Sequence, residues 1–258
     1  MSDGSLRGPV KTLALVVEYD GSAFCGFQRQ TAVASVAGEL GRILGILLGH
    51  PIALSAAGRT DAGVHATGQV ISFETTSDFP TARIPIAASA LLRDSRIAVL
   101  RAAQRPAGFS ARHDALSRSY RYRILNRLAP SPLLHRRVFH VRAALDVGAM
   151  QAVADRLIGR RDFATFSSGP PHEKGTTREI FALSIERNGD EIDVVVTADA
   201  FLHHMVRIVV GTLIEVGRGR LALEDVDRML AAKDRRLAGF TAPAHALYLE
   251  RVTYANPL

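Results

Sequence analysis

The residues best suited to chemistry lie in one short run, GRTDAGVHATGQV at 58–70. It holds an acid, Asp61, a guanidinium, Arg59, and an imidazole, His65, among three glycines. Glycines permit positive φ and close backbone approach, so such a loop can hold a side chain rigidly toward a ligand. Arg59 could pair with Asp61 and keep it ionised, as a nucleophile or base requires. The alternative, which spacing alone favours, is a surface turn with an ion pair worth about 0–1 kcal/mol.

A second group of candidates follows a predicted strand at 117–125. Arg118, Tyr120 and Tyr122 alternate onto one of its faces, while Arg121 and Arg123 lie on the other. A tyrosine flanked by arginines can stack on a base while the arginines contact phosphates, at ~1–3 kcal/mol per stacked base. Ordinary strand propensity and core packing are the alternative, because tyrosine favours sheets in any case.

A third candidate, Arg207, lies on a predicted helix at 201–216. It shares a stripe with His204 and Gly211 among apolar neighbours. A buried arginine there needs an acidic partner, and Asp61 is the candidate. The alternative is an arginine whose head group reaches solvent along an apolar surface.

Metal and cofactor motifs are not found in the sequence. His65 and His204 stand at no spacing typical of zinc, and His203 and His204 are expected to diverge around a helix. No GK[ST] run and no glycine fingerprint after a strand is present. We therefore expect neither a metal nor a nucleotide cofactor.

The charge balance indicates a polyanionic partner. Net charge is +7, the isoelectric point is about 10.1, and only Lys11, Lys174 and Lys233 of the 32 basic residues are lysines. Arginine holds phosphates bidentately and stacks on bases, which favours nucleic acid, although a generally arginine-rich proteome would give the same composition. Cys25 is the single cysteine, so no internal disulfide can form. The N-terminus does not resemble a signal peptide and no apolar run reaches ~18 residues, so we expect a cytoplasmic protein outside the membrane.

Two βαββαβ series can be traced along the chain, which predicts an α+β protein of two ferredoxin-like halves. The predicted domains are 8–106 and 107–258. The first series has strands at 12–20, 51–57, 68–75 and 96–104, with helices from Ser35 to Gly49 and at 84–93. The second has strands at 117–125, 179–188, 191–199 and 247–254, with helices after Asp146, at 201–216 and at 223–232. The stretch 167–177 is predicted to be a loop.

The GRTDAGVHA run resembles the catalytic motif of the TruA-type tRNA pseudouridine synthases. Other blocks resemble this family in the same order: YDG with Phe24, Gly26 and Gln28; FSAR at 109–112 and RSYRY at 118–122; Gly159 with Asp162, Phe163, Phe166 and Arg178; FLHHMVR at 201–207 with Gly211; and LYL at 247–249. The resemblance covers about residues 12–254. It departs from the family at Phe27, Ile208 and Ala246 and in the stretch 89–96, none of which removes a catalytic group.

The resemblance implies the pseudouridine synthase fold, with a continuous, mostly antiparallel sheet, helices on one face and a central active-site cleft. It implies isomerisation of uridine to pseudouridine at positions 38, 39 and 40 of the tRNA anticodon stem-loop, by a homodimer that uses no cofactor. Asp61 would be catalytic, with Tyr120 against the target base and Arg207 paired with the aspartate. Arg59 would fill the space left by the extruded base. The other expected substrate-binding residues are Thr60, His65, Arg112, Arg118, Tyr122 and Leu247.

Two other classes of function remain as alternatives. A non-catalytic RNA-binding protein on the same halves would not need Asp61, and an aspartate-dependent nucleoside or glycoside hydrolase would usually need a second carboxylate. The presence of Asp61, Tyr120 and Arg207 favours the enzyme over the first, and the lack of a second acid in the GRTD loop argues against the hydrolase.

Overall fold

A computed structural model describes residues 9–30, 33–169 and 175–258. The chain divides into two compact units, one formed by residues up to Leu116 together with Arg251–Leu258, the other by Ser117–Glu250. We call them unit 1 and unit 2. The division falls later than the predicted 106/107 boundary, and the end of the chain belongs with the first half. The predicted 167–177 loop lies partly outside the described residues.

Unit 1 has the predicted βαββαβ order. Its elements are β1 (Lys11–Tyr19), α1 (Val36–Leu48), β2 (Ser55–Ala56), β3 (His65–Thr75), α2 (Ile84–Leu91) and β4 (Ile97–Arg105). The strands run antiparallel in the order β4-β1-β3, and β2 pairs with β3. Buried leucines and isoleucines of β1, α1 and β3 fill its core, among them Leu13, Leu15, Leu40, Leu44 and Ile71.

Helix α1 follows directly from its local sequence. The Ser35 side chain accepts a hydrogen bond from the Gly38 amide at 3.3 Å, which caps the first turn. Gly49 ends the helix in the left-handed conformation at φ 77°, which glycine adopts without a steric cost. Between these ends Leu40 and Leu44 lie on one buried face. The predicted helix is confirmed at both ends.

Unit 2 contains the predicted helices and long strands together with two short strands that were not predicted. Its elements are β5 (Ser117–Asn126), β6 (Phe139–Val141), α3 (Val147–Leu157), β7 (Gly159–Asp162), β8 (Thr177–Asn188), β9 (Glu191–Ala198), α4 (Met205–Gly217), α5 (Leu223–Ala232) and β10 (Leu247–Thr253), whose last residues belong to unit 1. The strand order is β10-β5-β9-β8-β7, with β6 parallel to β5. β8 and β9 form the predicted hairpin, which turns at Gly189.

Two predicted elements begin at least four residues later in the structure than in the prediction. The strand expected at 51–57 is reduced to Ser55–Ala56; Pro51 has no amide hydrogen to give to a ladder. The helix expected from residue 201 begins at Met205, because His204 takes a positive φ of 59°. Within the described residues, no helix combines the length and apolarity that crossing a membrane requires.

Candidate functional site

Asp61 lies in the loop between β2 and β3, and its side chain is partly exposed. The loop is a tight turn in which the Val64 amide donates to the Asp61 carbonyl at 3.1 Å, with Gly63 at φ 81°. One residue earlier, the Thr60 carbonyl accepts from the Phe27 amide at 3.0 Å. The backbone on both sides of Asp61 is therefore fixed by hydrogen bonds.

A buried hydrogen-bond network supports this loop from within unit 1. The hydroxyls of Tyr19 and Thr60 are 2.8 Å apart, and the Gln69 Nε2 donates to the Gly58 carbonyl at 2.7 Å and to the Tyr19 hydroxyl at 3.4 Å. Gln69 Oε1 accepts from the Gly58 amide at 3.4 Å. Tyr19, Thr60 and Gln69 are all buried, and burial raises the pKa of Tyr19 to about 12. These three side chains are therefore uncharged and shielded from solvent, a setting in which an unmade hydrogen bond is costly.

The residues directly after β1, Asp20 to Ser22, hold the other end of the loop by hydrogen bonds. The Gly21 amide donates to Nδ1 of buried His65 at 3.1 Å, and the same nitrogen lies 3.2 Å from a carboxylate oxygen of Asp20. The side chain of Asp20 also accepts from the Ser22 amide at 3.0 Å and keeps the turn closed. A Cβ at Gly21 would overlap the Val64 carbonyl oxygen. Only glycine at position 21 lets these two segments cross so closely.

The predicted pair between Arg59 and Asp61 is not formed. Throughout the part of the chain that the structure describes, the Arg59 side chain has no hydrogen bond or ion pair, and it is exposed. It lines a groove together with Arg112, on the side of α1. The residue between them, Thr60, is bound inward to Tyr19 through its side chain.

Strand β5 carries the tyrosines and arginines of unit 2 on the two predicted faces. The ring of Tyr120 meets Phe201 edge-on, with centroids 5.1 Å apart. Tyr122 has no exposed surface and its hydroxyl donates to the Pro243 carbonyl at 2.9 Å. The Arg118 guanidinium donates to the Asp199 carbonyl at 2.7 Å. A contact of Tyr122 with RNA stays a prediction, one that this burial does not favour.

The arginines on the opposite face of β5 already have acidic partners. Arg121 pairs with Asp193 at 2.6 Å and with Glu250 at 2.5 Å, and these carboxylates raise its pKa above the usual arginine value. Arg123 pairs with Glu191 at 2.7 Å. Both side chains were candidates for phosphate contacts, and in unit 2 each of them is neutralised by neighbours in the sheet.

Arg207 is held by a segment that crosses helix α4. Its Nε donates to the Ala242 carbonyl at 2.7 Å, and its own carbonyl accepts from the Ala242 amide at 3.0 Å. A Cβ at Gly211 would overlap the Phe240 carbonyl oxygen, so glycine is needed where the segment crosses. Arg207 is half-buried, and its positive charge opposes the rise that burial causes in the pKa of Tyr122. Leu247 is buried at the start of β10.

The two adjacent histidines do not diverge around a helix, so that prediction is wrong. His203 and His204 precede the first residue of α4, and their rings stack with centroids 3.7 Å apart and planes inclined by 30°. The Ser168 hydroxyl lies 3.2 Å from Nδ1 of His203 and 2.7 Å from Nδ1 of His204. The left-handed backbone at His204 brings the rings together.

Sequence reasoning missed three supports of the site. Tyr19 and Gln69 stand inside the motifs, but the sequence predicts them only as strand residues, and no motif marks the segment that carries Phe240 and Ala242. A glutamine beside the apolar strand residues Val70 and Ile71 is the signal that could reveal this network, because a buried amide requires hydrogen-bond partners.

A family model described as tRNA pseudouridine synthase matches residues 153–255. The tRNA pseudouridine synthase A of Methylobacterium nodulans is 45% identical over 93% of this chain and 94% of its own length. That of Halalkalibacterium halodurans is 42% identical over 96% of this chain and 94% of its own, and that of Caulobacter vibrioides 42% over 94% and 98%.

The α+β fold, with its mostly antiparallel strands and its aspartate-bearing loop, is that of a pseudouridine synthase, an isomerase that acts on RNA. The chain belongs to the tRNA pseudouridine synthase A family, because curated relatives match it at this identity over nearly its whole length. The family resemblance of the chain is thereby confirmed.

Proposed function

We propose that this protein converts uridines 38, 39 and 40 of the tRNA anticodon stem-loop to pseudouridine, with Asp61 as the catalytic residue. The observation that carries the proposal is the buried Tyr19–Thr60–Gln69 network, which fixes the backbone around one partly exposed carboxylate. Catalysis depends on a reacting group being held in place before the substrate arrives. A loop with an idle surface acid would not need such support.

The reaction breaks the bond between ribose C1′ and uracil N1, turns the base, and joins C1′ to C5. The proton on C5 is then lost and N1 gains one, so the product is an isomer and no external oxidant, reductant or cofactor enters the balance. A base within a stem has to be extruded first, at a cost of a few kcal/mol. Asp61 would then act as a nucleophile at the sugar or the pyrimidine ring, or as a base on the ribose.

The remaining proposed roles rest on the family resemblance and on the position of each side chain. Tyr120 would pack on the target base and Arg207 would pair with the catalytic carboxylate. Arg59, which is exposed, would occupy the space that the base leaves. Thr60 and His65 face inward and would act by holding the loop. The further proposed contacts are Leu247 against the base and Arg112 and Arg118 with phosphates.

We also propose that the enzyme works in the cytoplasm as a homodimer whose two subunits together hold one tRNA. The family resemblance supports this assembly, and sedimentation of the pure protein with and without tRNA tests it. A single species of monomer mass under both conditions would contradict the homodimer.

The function is tested by incubating pure protein with unmodified tRNA transcript and mapping pseudouridines by carbodiimide treatment and primer extension. We expect new stops at positions 38 to 40 with the wild type, none with Asp61→Ala, and wild-type stops with Asp94→Ala, which removes an exposed acid elsewhere in unit 1. Wild-type protein that forms no pseudouridine would overturn the function. Modification by Asp61→Ala would overturn the role of Asp61 alone.

A further inference from the structure

Unit 1 contains an open groove between helix α1 and the segment 49–56 that follows it. Its volume is about 1050 Å³. The charged or titratable side chains that line it are all basic: Arg29, Arg42, Arg59, Arg112 and His50. No aspartate or glutamate is among the described residues of its lining. A cleft with charges of one sign concentrates field and attracts ligands of the opposite sign.

The arginines of the groove differ in how far they are already neutralised. Arg42 pairs with Glu39 on the same helix at 2.6 Å. For Arg29 and Arg59, which are both exposed, the described chain shows no hydrogen bond or ion pair. Arg112 is exposed at the groove as well. At least two full positive charges therefore face the groove, in contrast to Arg121 and Arg123 on β5.

The shape of the groove suits an extended chain. Gly38, Gly41 and Gly45 line it on the side of α1 without side chains that would obstruct a ligand. Ile46, 62% exposed on the same helix, offers an apolar contact for a ribose or a base. A small-molecule pocket is enclosed, whereas this groove is open and its charged side chains are basic.

The groove is continuous in sequence with the catalytic loop. Arg59 lines it, and Asp61 is only two residues further along the same fixed loop. A polyanion lying in the groove would therefore pass next to the loop that carries the reacting carboxylate.

We infer that this groove binds the ribose-phosphate backbone of the RNA strand adjoining the target nucleotide, with Arg29 and Arg112 contacting phosphates and thereby positioning the strand. The inference rests on the proposed function, since it takes the RNA to be the substrate. It assigns to Arg29 a substrate-positioning role and defines the surface to which Arg112 belongs.

The first test compares Arg29→Ala and the Arg29→Ala/Arg112→Ala double variant with Arg83→Ala, which removes an exposed arginine of unit 1 outside the groove. Binding of tRNA transcript is measured from low to high salt. The slope of log Kd against log salt should fall by about 1 for each arginine that no longer reaches a phosphate. The KM should rise in parallel, while the single-turnover rate at saturating tRNA stays within about twofold of the wild type. Wild-type slope and KM in the double variant would overturn the inference.

The second test asks directly where the RNA lies. In a Cys25→Ser background, which removes the exposed natural cysteine, a photo-crosslinker is attached to Ile46→Cys in the groove or to Ile86→Cys on α2, which is 78% exposed. We expect crosslinks from position 46 to nucleotides flanking the target uridine, and a yield from position 86 near background. Equal yields would overturn the inference.

The two proposals fail in different ways. If the groove variants bind tRNA like the wild type while pseudouridine still forms, only the groove is wrong. If the wild type forms no pseudouridine, the proposed function fails whatever the crosslinks show. Loss of binding to polyglutamate but not to tRNA in the double variant would identify an acidic protein segment as the occupant and overturn the assignment to RNA.

Discussion

In each unit, a proposed active-site side chain lies near a glycine that is in close contact with the backbone of another segment of the chain. In unit 1, Gly21 lies against the Val64 carbonyl beside the loop of Asp61, and in unit 2, Gly211 lies against the Phe240 carbonyl beside Arg207. The supports around the crossings differ. The loop in unit 1 is held by buried side chains, whereas Arg207 is held by the backbone of Ala242.

This difference separates two ways of fixing a reactive group. Side-chain hydrogen bonds depend on the identity of Tyr19, Thr60 and Gln69, so single polar-to-apolar substitutions should displace the Asp61 loop. A bond to a backbone carbonyl depends only on the path of the chain, so Arg207 should tolerate side-chain changes in its support and respond to the crossing glycine.

The largest effects are expected from Gly21→Ala and Gly211→Ala, because in each the new Cβ would overlap a backbone oxygen that cannot move alone. Overpacking of this kind costs about 1–3 kcal/mol, occasionally more. Urea unfolding should show a lower stability for each of the two variants. Gly41→Ala is the matched control, since its Cβ would lie 3.7 Å from the nearest atom and alanine is favoured in a helix by about 0.5–1 kcal/mol. Wild-type midpoints in either crossing variant would contradict the close approach.

Gln69→Leu should have the next largest effect. It removes the side-chain amide that binds the half-buried Gly58 carbonyl and amide, and because solvent can reach Gly58 the cost should stay near the lower end of about 1–3 kcal/mol. We expect the single-turnover rate to fall more than tRNA binding does, since the loop moves with Arg59 while Arg29 and Arg112 of the groove stay in place. Gln104→Leu, at an exposed position of β4, is the control. Equal rates for Gln69→Leu and the wild type would show that the network does not position the loop.

Tyr19→Phe should give the smallest change at neutral pH, about 1 kcal/mol for the removal of one hydrogen bond. The variant should differ from the wild type most clearly in how its unfolding free energy depends on pH above 10. The folded pKa of Tyr19 is about 12 against 10 in the unfolded chain, so its stabilising contribution is complete below pH 10 and is lost as the pH rises from 10 to 12. Unfolding free energies measured across this window should fall less steeply in Tyr19→Phe. Identical slopes in variant and wild type would contradict an ionisable, buried Tyr19.

Local signals predicted much of the fold. Ser35 and Gly49 bound α1, and Asn188-Gly189 turns the β8–β9 hairpin, because a cap or a turn is encoded within a few residues. The strands β6 and β7 were missed because segments of three and four residues show no measurable alternation. The start of α4 was misplaced because nothing near His204 signals its left-handed backbone.

The sequence predicts which residues form the proposed site, but not their contacts. The motif identified Asp61, yet its supports join residues 41 and 50 positions apart, Tyr19 with Thr60 and with Gln69, which no local spacing can reveal. The expected Arg59–Asp61 pair followed from sequence proximity, but in the structure Arg59 lines the groove beside α1 instead. Long-range pairing decided which neighbours in sequence became neighbours in space.

The most direct measurement is a single-turnover time course of pseudouridine formation with Asp61→Asn, which keeps the size of the side chain and removes only its charge. Because the side chains that support the loop are unchanged, we predict tRNA binding within about twofold of the wild type and no pseudouridine over many wild-type half-times. Pseudouridine formation at the wild-type rate would contradict the claim that the loop exists to hold a catalytic carboxylate.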